Sequence, residues 1–157
     1  MLATPVDKPF DHPDWIFEIK WDGYRTISRI QESEVSIYSR NNISFNDKFP
    51  EIVESLSDLK IDAVLDGEIV VVDKNGKSDF QLLQDYLKEK KGNLVYYVFD
   101  ILYLDGEILV DLDLSDRKKI LKDLFAPAKP ADYIRISDYI EEDGKDFFSI
   151  AKKNNLE

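Results

Sequence analysis

Two runs in this chain are hard to place anywhere but inside a β-sheet. Residues 63–73 read Ala-Val-Leu-Asp-Gly-Glu-Ile-Val-Val-Val-Asp, and residues 94–104 read Leu-Val-Tyr-Tyr-Val-Phe-Asp-Ile-Leu-Tyr-Leu. Dense β-branched and aromatic content fits β-strands, the second of them a central one. The second run is too short to cross a bilayer and carries Asp100, so no membrane span is expected. Turn signals follow both, Lys74-Asn75-Gly76-Lys77 after the first and Asp105-Gly106 after the second. Around them, alternation predicts strands at 24–30 and 35–40, with further strands at 107–110 and 134–139. Apolar residues at helical spacing predict helices at 49–59, with Pro50 in the first turn, and at 79–90. A third helix is expected at 116–124, capped by Ser115 and closed off by Pro127 and Pro130, and a fourth at 145–153. The fold class is therefore α+β, with mostly antiparallel sheets flanked by helices. At 157 residues and 43% hydrophobic content, the expectation is a single domain over 1–157 with a sizeable core.

Charge and rare residues narrow the function. The formal net charge of −11 sits badly with a surface that grips DNA unaided, since phosphate contacts come mainly from Lys and Arg. The chain has no cysteine, which removes disulfides and thiolate metal sites and is compatible with a reducing cytosol. Its first residues lack the basic and apolar regions of a signal peptide. His12, the sole histidine, argues against a histidine-centred metal site or a Ser-His-Asp hydrolase and is expected at the surface.

The chemistry concentrates in Glu18-Ile19-Lys20-Trp21-Asp22-Gly23-Tyr24-Arg25, a K-x-D-G-x-R spacing. If residues 17–21 form a strand, Phe17, Ile19 and Trp21 share one face while Glu18, Lys20 and Asp22 share the other. Lysine pairs a mobile amine with a tunable pKa, so it can bind phosphate as a cation or attack phosphorus when neutral. The competing reading is a half-buried strand with a solvated charged face and a hairpin turn at Asp22-Gly23. Three more segments follow in order: Ser39-Arg40-Asn41-Asn42, Leu65-Asp66-Gly67-Glu68-Ile69-Val70, and Tyr96 through Tyr103 around Phe99-Asp100. Glu68 lies inside an apolar run, where a charge is costly unless paired, hydrogen-bonded or metal-bound.

With Lys20, these segments resemble the motif series of the covalent nucleotidyltransferases: ATP-dependent DNA ligases, RNA ligases and mRNA-capping enzymes. The opening Met1-Leu2-Ala3-Thr4, the block from Trp15 to Arg25 and Phe99-Asp100-Ile101-Leu102-Tyr103-Leu104-Asp105-Gly106 most resemble the ligase domain of bacterial end-joining ligases of the ligase D type. The resemblance covers essentially the whole chain.

What it implies is a ligase reaction. Lys20 would attack the α-phosphorus of ATP, release pyrophosphate, and carry AMP as a phosphoramidate. AMP would then pass to a DNA 5′-phosphate, and a 3′-hydroxyl would displace it to seal the strand. By resemblance, Glu18 lies near the adenine amine and the Ile19 backbone reads the base edge. Arg25 and Arg40 approach phosphate or ribose oxygens, Glu68 contacts the ribose and helps organise metal, and Phe99 stacks on adenine. Asp22 assists metal or Arg25 geometry, Gly23 permits a tight turn, and Glu157 matches a later metal-associated glutamate. The plainer alternatives are a buried ion pair for Glu68, core packing for Phe99, surface ion pairs for the two arginines, and a structural acceptor for Asp100. A free lysine titrates near ~10.4, so an amine that is neutral near pH 7 must be shifted by about 4 kcal/mol. Glu18 and Asp22 oppose that shift, and Mg²⁺ or Mn²⁺ arriving with ATP would offset them.

The resemblance also implies a further glutamate-glycine strand, later lysines for the α-phosphate and a separate OB-fold domain. This sequence is accordingly expected to be the front portion of an adenylation domain, weak or inactive alone and a poor binder of DNA. The complete protein would act on nicked or broken double-stranded DNA in a bacterial cytoplasm, at the nucleoid. The alternatives are an RNA ligase, a capping-type enzyme using GTP, or a nucleotide-binding module without catalysis. Open sheet edges would then be a route to association with another chain.

Overall fold

The computed structural model describes residues 4–126, 133–154 and 156. In chain order the elements are β1 (His12–Glu18), β2 (Tyr24–Gln31), β3 (Glu34–Ser39), α1 (Pro50–Ser57), β4 (Ala63–Val72), α2 (Phe80–Glu89), β5 (Asn93–Leu104), β6 (Glu107–Ile108), α3 (Leu114–Phe125), β7 (Ile134–Ile136), β8 (Tyr139–Glu142) and α4 (Gly144–Lys153). Two compact units emerge, one from the segments up to Lys20 and from Ser137 onward, the other from Trp21 to Ile136.

The larger unit is a six-stranded sheet in the order β3-β2-β4-β5-β6, with β7 also on β5. All pairings are antiparallel except β5 with β7. The period of two sends Ala63, Leu65, Ile69 and Val71 of β4 and Leu94, Tyr96 and Val98 of β5 to one face, where they are essentially buried. Helices cover that face: α1 rests on β3 and β7, α2 on β4, and α3 on β5 and β7. Phe49, Ile52, Leu56, Leu83 and Leu121 complete the core. Burying a single Leu or Ile of this kind is worth about 2 kcal/mol, so this face supplies the main driving force for the unit. Gly67 is needed because a Cβ there would meet the Tyr97 carbonyl at 2.4 Å and the Tyr96 ring at 2.6 Å. With that space open, the buried Tyr96 hydroxyl reaches across and donates to the Thr26 carbonyl at 2.9 Å.

The smaller unit pairs β1 with β8 antiparallel and packs α4 on both. Phe10 meets the edges of Trp15 and Phe17, and Asp11 accepts from the Lys145 backbone at 2.9 Å at the start of α4. Val6, Phe10, Trp15, Phe17, Phe147 and Phe148 line a cleft of about 340 Å³ that Glu18 also borders.

Three expectations about elements change. The strand expected at 17–21 runs instead from His12 to Glu18, so Lys20 and Asp22 do not alternate on a strand face. The β1–β8 ladder ends at the Glu18–Tyr139 pair. The strand expected at 134–139 is broken at Ser137 and Asp138, its halves being β7 in one unit and β8 in the other. Helix α3 begins at Leu114 after Asp113, placing Ser115 inside the first turn rather than at the cap. Pro127 and Pro130 lie outside the described residues. Asp105 and Gly106 both take positive φ, 46° and 96°, as a tight hairpin between β5 and β6 demands.

Candidate nucleotide-binding face

Among the described residues of this unit the helices pack against the core on the first face of the large sheet, and the sequence loads the second face with chemistry. Arg25 stands directly opposite Glu68 across β2 and β4, and Glu68 opposite Tyr97 across β4 and β5. Asp66, two residues before Glu68, shares that face. The Arg25 guanidinium grips Asp66 with two bonds, Nε to Oδ1 at 3.1 Å and Nη2 to Oδ2 at 2.7 Å. Asp66 keeps 8% of its side chain exposed and Arg25 keeps 40%, so a half-exposed cation answers a buried anion.

Phe99 owes its position to an irregularity. Along the β4–β5 ladder Asp66 pairs with Asp100, but the adjacent Gly67 pairs with Val98, leaving Phe99 as the extra residue of a bulge. Bulges re-aim side chains. Phe99 stays half-buried and the Arg25 guanidinium carbon lies 5.5 Å from its ring centroid. Phe99 is named in neither buried cluster of the described residues.

Glu68 is the electrostatic outlier. Burial pushes its carboxyl up to about 7, against the opposing pull of the Gly23 N–H that it accepts and of Arg25, while Asp66 and Asp22 push it the same way as burial. The buried ion pair expected as its alternative is found, but the anion in it is Asp66. Glu68 stays half-ionised near neutrality and available to hydroxyl donors or a cation.

The residues after Lys20 are fixed one by one. Trp21 stacks on Tyr97 with centroids 3.7 Å apart and planes 7° from parallel, over a small cluster of Val70, Val72 and Val95. Asp22 accepts from the Phe80 N–H at 3.1 Å at the start of α2, and its own N–H donates to Ser78 Oγ at 3.1 Å. Gly23 is not in the left-handed region that a tight glycine turn would need. Space is what excludes a side chain there, because a Cβ would lie 2.1 Å from the Ile69 carbonyl and 2.8 Å from Val70 Cγ1.

Thus Asp22, Arg25, Glu68 and Phe99 are brought together within one unit. Arg40 stands exposed in the turn just past β3. Glu18, Ile19 and Lys20 belong to the other unit, Glu18 ending β1, Ile19 half-buried and Lys20 exposed at its last position. Glu157 lies outside the described residues. Sequence reasoning missed Asp66, the true partner of Arg25, although its place two residues before Glu68 was the available signal. Tyr97, which carries Trp21, and Arg117, which holds Asp100, were also missed. Among the described residues no group of three or more His, Cys, Asp or Glu is arranged to hold a metal. Nor is any described helix long and apolar enough to cross a membrane.

An antiparallel sheet with one helix-covered face and one face bearing an arginine, a desolvated glutamate and an outward phenyl ring is the frame of a ligase-type nucleotidyltransferase domain. Comparison with known proteins agrees. The family model for the ATP dependent DNA ligase domain matches residues 1–157, and the chain belongs to that family. It is 37% identical over 99% of its length to the multifunctional non-homologous end joining protein LigD of Pseudomonas aeruginosa, covering 19% of that protein. It is 32% identical over its whole length to the SPbeta prophage-derived DNA ligase-like protein LigB of Bacillus subtilis, covering 57% of it. In structure it matches the ligase domain of Mycobacterium tuberculosis LigD with a TM-score of 0.79 and 30% identity, over 94% of this chain and 48% of that one. A mycobacterial DNA ligase D solved with ATP and MES matches with a TM-score of 0.77 and 32% identity, over 91% of this chain and 46% of that one. The chain therefore spans about half the length of the solved relatives.

Proposed function

We propose that this chain forms the nucleotide-binding part of an ATP-dependent ligase adenylation domain, acting in the joining of broken or nicked double-stranded DNA. The observation that carries the reading is the grouping of Arg25, Glu68 and Phe99 on the second sheet face. Phe99 offers a flat apolar surface for adenine, and base–aromatic stacking of this kind is worth about 1–3 kcal/mol. Glu68, as a carboxylate, accepts from the ribose hydroxyls, and the half-exposed Arg25 guanidinium is assigned to phosphate or ribose oxygens. Glu18 and the Ile19 backbone are assigned to the base edge, and Arg40 to phosphate or ribose.

Lys20 is the proposed nucleophile. Its amine displaces pyrophosphate from the α-phosphorus and forms a lysyl-AMP phosphoramidate, losing a proton as the P–N bond forms. The chain immediately after it is anchored at Trp21, Asp22 and Gly23 in succession, so little backbone freedom remains on that side to misdirect the amine. Asp22 and Glu68 are the oxygen donors assigned to a divalent ion, the charge of Asp22 being felt at the Glu68 carboxyl. Mg²⁺ suits such a pair, since it is commonly bound by one or two carboxylates together with substrate phosphates, and Mn²⁺ accepts the same ligands. When bound, the ion would supply positive charge to the phosphates. A bacterial cytoplasm, at the nucleoid, is the location this role requires.

Incubation with α-labelled ATP and Mg²⁺, followed by denaturing electrophoresis, tests the reading. An acid-labile, alkali-stable label that is absent in Lys20→Ala is expected. Label that survives Lys20→Ala, or that forms from GTP in preference to ATP, would overturn it.

A further inference from the structure

We propose that Arg117 of α3, which bonds to Asp100 and the Leu112 carbonyl, is a positioning residue for the nucleotide face, acting through Asp100. The inference rests on reading that face as the nucleotide site. Asp66 and Asp100 stand directly opposite each other on neighbouring strands, an arrangement that is destabilising for like charges. Each is answered by its own arginine. Arg25 holds Asp66, and Arg117 holds Asp100 through Nε to Oδ1 at 2.8 Å and Nη2 to Oδ2 at 3.0 Å. The second pair is the more enclosed of the two on its cationic side, Arg117 keeping 11% of its side chain exposed and Asp100 16%. Arg117 also donates to the Leu112 carbonyl, and Asp100 Oδ1 accepts from the Ile101 N–H, so both ends of the pair are built into backbone.

The position of this pair decides what it controls. Asp100 is the first residue after the bulged Phe99, and its clamp to α3 fixes where the bulge ends. It also settles which carboxylate Arg25 serves. Arg25 already feels Asp100, and it is the more exposed of the two arginines. Without Arg117, Asp100 would face Asp66 as an enclosed carboxylate stripped of its bidentate partner, with Arg25 within electrostatic reach of both. Arg25 would be pulled from its bidentate grip on Asp66, and the guanidinium edge and the Phe99 ring would move together. A helix on the covered side of the sheet thereby sets the geometry of the other side.

The test uses the full chain as wild type, Arg117→Met, Arg117→Lys and the double variant Asp100→Asn with Arg117→Met. Side-chain NMR of the Arg25 Nε–H and the Phe99 ring needs no nucleotide. Both signals are expected to move in Arg117→Met, less in Arg117→Lys, and to return toward wild type in the double variant, where the lone carboxylate is gone. In titrations, Arg117→Met is expected to lose about tenfold in ATP affinity, a part of what base stacking contributes, while affinity for inorganic tripolyphosphate stays unchanged. Unmoved Arg25 and Phe99 signals, no recovery in the double variant, or equal weakening of ATP and tripolyphosphate would overturn the proposal. Should Arg117→Met fail to fold, the lysine and double variants decide by the same signals. If wild type binds no ATP, the reading of the face fails, and the nucleotide-free signals still decide whether Arg117 positions Arg25 and Phe99.

Discussion

Replacing Glu68 by glutamine removes an ionisation while keeping the shape and the acceptor for the Gly23 N–H. Burial holds the carboxyl of Glu68 up to about 7 in the fold, against 4.5 for an unperturbed glutamate. At about 1.4 kcal/mol per pH unit, that difference corresponds to roughly 3 kcal/mol for a dry carboxylate. Glu68 is only half-buried, so screening reduces the expected effect to about 1–2 kcal/mol. The folded chain holds this proton more tightly than the unfolded chain. Glu68 therefore costs nothing below its unfolded pKa, and stability is lost progressively as pH rises through about 7. Urea unfolding of wild type and Glu68→Gln at pH 5 and pH 8 measures this directly. The advantage of the glutamine variant should be larger at pH 8 by about 1–2 kcal/mol, or several degrees in melting temperature for a chain of this size. An advantage equal at both pH values, or shrinking as pH rises, would refute the argument. It would mean that Arg25 compensates the ionised carboxylate fully.

Three other outcomes follow from the same geometry. Calorimetry of ATP binding at pH 7 in buffers of different ionisation heat should show a fraction of a proton released per nucleotide, because hydroxyl donors and cations favour the Glu68 carboxylate; binding with no proton exchange would contradict that contact. Gly23→Ala should lower stability by about 1–3 kcal/mol in thermal unfolding and shift Trp21 fluorescence, since the new methyl must displace the Ile69 carbonyl or the loop. An unchanged melting temperature would show that the loop has room. Tyr96→Phe should cost about 1 kcal/mol in urea unfolding, through loss of the buried bond to the Thr26 carbonyl, and a neutral result would mean that the carbonyl is satisfied without it.

The strands that carry the site were the easiest to read from sequence, because β2, β4 and β5 declare themselves by alternation or by unbroken apolar runs. Their composition also exposed Glu68, a charge in a run that otherwise buries everything. Register was not legible. Nothing local says that Arg25 faces Glu68 but bonds Asp66, or that the ladder slips by one residue at Phe99. Arg117 was invisible for a similar reason, since its partner lies on β5 and only the docking of α3 brings them together. The β1–β8 pair was missed at both ends. Its first strand opens on His12-Pro13-Asp14, where proline cannot donate to a ladder and the register is irregular, and its partner is the far segment Tyr139–Glu142. Asp22-Gly23 looked like a hairpin turn by composition, yet Asp22 is drawn to the N–H groups at the start of α2 and Gly23 to close contact with β4.

Mapping ATP onto the wild-type chain by NMR chemical shifts tests the central claim most directly. The account predicts that shifts concentrate on Arg25, Glu68 and Phe99, with Trp21 and Tyr97 beside them, and that Phe99→Ala weakens ATP while leaving tripolyphosphate unaffected. Saturable ATP binding that perturbs the helix-covered core face or α4 and leaves those residues unmoved would contradict it, as would the absence of any ATP binding.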